Sequence, residues 1–104
     1  MEISATKVAQ VIVLARELDR AESEFRAFVE RLGVDEQAEL VALMWIGRGS
    51  YEAEEFSEAL AMATAEASTP TADYLMGSPH LSDHLETALD SLNISAVELE
   101  NDLM

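Results

Sequence analysis

The chain has no cysteine, two prolines, four glycines, and no lysine or arginine beyond position 48. Each absence removes a class of explanation. Without cysteine there is neither a disulfide framework nor a thiolate metal site, so the fold must stand on packing alone. A reducing compartment suits such a chain, and the cytoplasm is the expected location. No apolar run approaches the roughly 18 residues that a membrane-spanning helix requires. The short apolar run at residues 11–15 is followed by no small-residue cleavage site, so the opening stretch does not read as a signal peptide and a soluble protein is expected.

Basic residues are scarce, and their placement matters more than their number. Lys7, Arg16, Arg20, Arg26, Arg31 and Arg48 stand against nine acids in residues 1–48, leaving −3, whereas residues 49–104 hold twelve acids and no base, leaving −12 of the total −15. Such a surface repels phosphate backbones, so direct nucleic-acid binding is not expected outside the N-terminal segment. A solvated acidic face is the plain reading, and a basic protein surface is its natural complement.

What is present is helix-compatible nearly throughout. At 104 residues the chain suits one helical domain, with an N-terminal helical segment at residues 1–33 and a compact helical core at residues 34–104. Ser4, Val8, Val11, Ala15, Leu18, Glu22, Phe25, Val29 and Leu32 step by fours and threes, the seam of an amphipathic helix. That predicts one long helix over residues 4–32, or two nearly collinear helices broken around residues 20–24. Gly33 is the expected left-handed cap, and Asp35 the expected N-cap of the next helix.

From position 38 to 46 only Glu39 is charged, which marks a central helix buried on all sides, with Gly47 expected to end it. Ser50 is placed as the cap of a third helix with Glu52, Glu54 and Glu55 in its first turn and Phe56, Leu60, Ala63 and Ala67 facing inward. Residues 71–76 form a short helical turn closed by Gly77. Ser78-Pro79 opens another helix with Leu81, Leu85, Ala88, Leu89 and Leu92 inside. Asn93 ends it, and Ser95 with Glu98 forms a capping box for a last short helix. Period-two alternation is absent, so the fold class is all-α: four to six helices around a buried central one.

The stretches DEQAELVALMWIGRGSY (residues 35–51), TADYLMGSP (71–79) and LSDHLETAL (81–89) resemble the bacterial domain-of-unknown-function family 3775, and ISATKVAQVIVLARELD (3–19) fits that family's opening helix. The resemblance implies a bacterial protein and brings no activity, cofactor or catalytic residue. This chain is shorter between its opening and central helices than such relatives are. It also carries His80 and His84 where they tend to have apolar or aromatic residues.

His80 and His84 are four apart on an expected helix, a spacing that lets two imidazoles meet one metal ion. A third ligand has to be a carboxylate, and the neighbouring Asp83 points elsewhere, so the two read as boundary residues beside the leucine stripe. Glu54, Glu55 and Glu58 lack the Glu-x-x-His partners of bundle metal sites and read as the wet face of a helix. There is no nucleophile elbow and no phosphate-binding loop. No catalytic residue, cofactor or metal is therefore assigned.

Trp45, Arg48, Tyr51 and Tyr74 form the one candidate recognition patch, since tryptophan, tyrosine and arginine dominate interface hot spots. The competing reading makes Gly47 and Gly49 a tight turn, with Arg48 a counter-ion to Asp73 or to the acids at 52–58. Crowding of Phe25, Phe28, Val29 and Leu32 points to a homodimer through the N-terminal helix. The expected function is a non-enzymatic interaction or adaptor protein. A nucleic-acid mimic and a small metal-dependent enzyme are the alternatives.

Overall fold

The computed structural model describes residues 2–66 and 69–92. These hold six α-helices and no strand, as the sequence pattern predicts: α1 (Ala5–Arg16), α2 (Leu18–Arg31), α3 (Val34–Arg48), α4 (Phe56–Ala65), α5 (Thr71–Met76) and α6 (Leu81–Ser91). No described helix is long and apolar enough to cross a membrane. Ala67 and the expected features at Asn93, Ser95 and Glu98 lie outside the described residues.

The N-terminal seam is two helices rather than one. Ser4 Oγ accepts the Lys7 N–H at 3.1 Å and starts α1. Helical geometry then lapses at Glu17 (φ −115°), earlier than the range 20–24, and again at Ala21 (φ −112°), inside it. The break lets the two halves choose different neighbours, α1 packing on α6 and α2 on α5. Phe25, Val29 and Leu32 are buried in the same cluster as Val8 and Val11. Of the four apolar side chains that argued for a dimer through this segment, these three are covered by the chain itself and Phe28 is partly covered.

Gly33 is not the left-handed cap expected. It is extended (φ −64°, ψ 160°), and its N–H donates to Glu36 Oε1 at 2.9 Å, so Gly33 rather than Asp35 is the N-cap of α3. No left-handed residue is needed, because Leu32 is already extended and its carbonyl accepts a hydrogen bond from Gln37 Nε2 at 3.0 Å.

Residues 39–46 of α3 are all buried, which makes this helix the core of the molecule. Glu39 is among them at 2% exposure. Its two carboxylate oxygens accept the backbone N–H groups of Ile3 (2.7 Å) and Glu2 (2.8 Å), so the charge is hydrogen-bonded and the chain entering α1 is tied to the central helix. Three ion pairs add cross-links: Lys7–Glu36 joins α1 to α3, Arg16–Glu86 joins α1 to α6, and Arg26–Asp73 joins α2 to α5. The Lys7 hydrogen bond, aided by the Gly33 N–H, holds the Glu36 carboxyl below its usual range. A depressed carboxylate stabilises the fold above its unfolded pKa, and that contribution disappears as pH falls through the folded value.

Two glycines near the end of α3 do different work. Gly47 does not end the helix but lies within it, where a Cβ would overlap the backbone carbonyl of His84 and come within 2.8 Å of its Cα. It is the point at which α3 and α6 touch backbone to backbone. Gly49 is the true left-handed cap (φ 90°), with open space around it, and Ser50 N–H closes the turn on Trp45 O at 2.9 Å.

Ser50 does not cap the third helix. A single 3-10 turn at Ala53–Glu55 intervenes, with the Glu52 N–H donating to Glu55 Oε1 at 2.8 Å. The inward side of α4 is Ala59 and Ala63, with Phe56 and Leu60 only partly covered. The last described helix starts at Leu81, later than Ser78-Pro79. Its N-cap is His80 in a left-handed conformation (φ 59°), while Leu81, Leu85, Ala88 and Leu89 are buried as the stripe predicts.

Candidate functional site

Trp45 is 7% exposed and anchors the aromatic group expected from the sequence. Its indole N–H donates to the Tyr74 hydroxyl at 3.0 Å, and its ring stacks on Tyr51 with centroids 5.9 Å apart and planes 25° apart. The indole thus ties the end of α3 to α5 and to the turn that follows α3. Tyr74 is 39% exposed and carries its apolar ring to the surface.

Arg48 does not act as the turn's counter-ion. Its Nε donates to Ser50 Oγ at 3.1 Å, and among the described residues no acid lies within ion-pair distance of it. Asp73, the expected partner, is held by Arg26 at 2.5 Å, and that hydrogen bond raises the Arg26 pKa above its ordinary value. The sequence order misleads here: Arg26 is 47 positions from Asp73 yet reaches it because α2 packs directly on α5.

Beside Trp45 opens a groove of about 510 Å³. One wall is α3, which contributes Val34, Ala38, Val41 and Trp45, the i, i+4, i+7, i+11 stripe of a single helix face. The opposite wall is the end of α4, with Ala63 and Thr64, and Pro70, Thr71 and Tyr74 close the third side. Ala38 and Ala63 explain the opening, since neither side chain reaches across. Val34, at the first position of α3, is 79% exposed, the most exposed large apolar side chain among the described residues. A second cavity of about 350 Å³ lies across Tyr74 and is lined by Met44, Arg48, Asp73 and Pro79.

Sequence reading located Trp45 and Tyr74 but missed Val34, Ala38, Val41 and Ala63. The signal was available in the i, i+4, i+7, i+11 spacing, yet in a segment apolar on every face one stripe does not stand out. His80 and His84 lie with ring centroids 6.4 Å apart, edge to face. Among the described residues no three histidine or carboxylate side chains gather in a metal-binding cluster. Arg26 and Glu36, whose titration is displaced, belong to ion pairs and do not line the groove.

No match was found among curated proteins or among solved structures. A family pattern does match, over residues 22–94, a span that includes both walls of the groove and leaves out α1. The stretch at residues 3–19, expected to correspond to the family's opening helix, is outside it. With most of its length matched, the chain belongs to the family described as protein of unknown function (DUF3775).

Proposed function

We propose that the protein is a non-enzymatic interaction module that receives a partner protein in the groove beside Trp45. The observation that carries this reading is Val34, left open to water at the mouth of a groove whose walls are mainly alkyl and aromatic. Val34 is exposed and Ala38 partly so at the open end of the groove, while Val41 and Trp45 form its covered floor, and a concave apolar surface of this kind is one that binding covers. Tyr74, held by the Trp45 indole and 39% exposed, supplies rigid aromatic contact area of the kind that dominates interface energetics.

Capture from a native lysate tests the reading, with Val34→Ser as the comparison. The expected result is a protein retained by the wild-type chain and lost with the variant. Identical captured sets would reject the groove as the docking surface. The mimicry alternative draws on Asp83, Glu86 and Asp90, which share one side of α6. Arg16 already pairs with Glu86, so that row presents two unpaired carboxylates rather than a run of phosphate-like charges. The enzyme alternative draws on His80 and His84 alone.

A further inference from the structure

The groove has a shape and a charge that narrow its partner, an inference that rests on the interaction reading above. From Val34 to Trp45 the α3 stripe runs for about 16 Å at 1.5 Å per residue, the length of three helical turns. Val34 stands open at one end of this stripe, Ala38 is partly exposed, and Val41 and Trp45 form the covered floor; the small side chains of Ala38 and Ala63 leave room for a second helix to approach closely and lay its own apolar ridge there. A helix satisfies its own backbone N–H and C=O groups and so needs only side-chain contact with such a stripe.

The charge that lines the groove is acidic. Among the groove's lining residues Glu66 is the single charged side chain. Asp35 is exposed next to Val34. Neither Glu66 nor Asp35 has a basic partner within ion-pair distance among the described residues. A second copy of this chain is a poor occupant, because two bodies of net charge −15 repel one another. An anionic membrane surface is excluded by the same repulsion.

We propose that the groove takes one amphipathic helix of a partner protein, its apolar ridge seated on Val34, Ala38 and Val41 and its lysine or arginine side chains facing Glu66 and Asp35. The charged margin selects and steers the helix, and the alkyl stripe holds it.

Trp45 is the only tryptophan and lies in the groove wall, so its emission reports occupancy directly. The full chain is titrated with three synthetic helical peptides of about 14 residues, enough for nearly four turns. One has a leucine ridge with lysine margins, the second the same ridge with glutamate margins, and the third lysine margins with the ridge changed to serine. The lysine-margined ridge should shift Trp45 emission and bind about tenfold more tightly than the glutamate-margined one near 0.1 M salt, with the difference collapsing near 1 M. The serine peptide should leave the emission unchanged, and Glu66→Lys should narrow the preference. Equal or reversed preference between the two ridged peptides, or equal binding of the serine peptide, overturns the proposal. So does a dimer in light scattering that Val34→Ser dissolves, which would give the groove to a second copy. If no peptide binds while lysate capture still depends on Val34, the basic helix is rejected and the interaction reading stands. Capture indifferent to Val34 rejects the interaction reading itself.

Discussion

The two sides of α3 are built on opposite terms. On one side Gly47 lets the helix meet α6 so closely that no Cβ fits between the backbones, and Glu39 is locked to the entering chain by two hydrogen bonds. On the other side Val34, Ala38, Val41 and Trp45 face a groove, and Val34 at its end faces water. With successive residues turned by about 100°, Glu39 and Gly47 fall on the face away from that stripe. A helix apolar all round is normally covered all round. Here one face is sealed against a neighbouring backbone and the other borders a groove that opens at Val34, so substitutions at Gly47 and Glu39 should differ in kind from one at Val34: loss of stability at the first two, loss of binding at the third.

The largest effect should follow from Gly47→Ala. Alanine favours an interior helix position over glycine by about 1 kcal/mol. Against this, the added methyl overlaps the backbone of His84, which cannot rotate away as a side chain could, so α3 and α6 must separate. Overpacking of this kind typically costs up to about 3 kcal/mol, so a net loss of about 2 kcal/mol is expected in chemical denaturation. Wild-type stability for Gly47→Ala would show that the two helices are not in backbone contact. Glu39→Ala comes next. It strips the acceptors from two backbone N–H groups, of which that of Ile3 is buried, at a cost of about 2 kcal/mol. Glu39→Gln keeps one acceptor oxygen and should recover about half of that in the same measurement.

These two positions show what sequence can and cannot reveal. The helical class, the buried run expected at 38–46, of which all but Ala38 is buried, and the leucine stripe of α6 were legible because each depends on the pattern within one segment. Gly47 was read as a helix terminator and Glu39 only as an interruption, since the meaning of each lies in a residue far away in the chain, His84 and Ile3 respectively. Arg26–Asp73 failed to be anticipated for the same reason. The groove was half legible. Its aromatics stand out by rarity, but alanine at 38 and 63 matters by what it omits, and an omission becomes visible only when two helices are set side by side.

Arg48→Ala should have a small effect, within about 0.5 kcal/mol, because the guanidinium is exposed and its one described contact is a hydrogen bond to Ser50 Oγ. Thermal unfolding measures this. A loss well above that value would restore Arg48 as a structural counter-ion, and the turn at Gly49 would then depend on charge as well as on its left-handed backbone.

The smallest effect on stability should come from Val34→Ser, and for that reason it is the sharpest test of the open face. Val34 is 79% exposed at the first position of α3, where serine suits a helix start and no core contact is lost, so the change should lie within about 0.5 kcal/mol. The same substitution removes the alkyl group at the mouth of the groove and should abolish capture of the partner. Salt raised from about 0.1 M to about 1 M should weaken the wild-type complex by screening its acidic margin, while excess duplex DNA should leave it intact. Displacement by DNA at matched ionic strength would move the docking surface from the groove to the carboxylates of α6. A Val34→Ser protein that unfolds more readily than wild type would mean that the face described as open is covered after all.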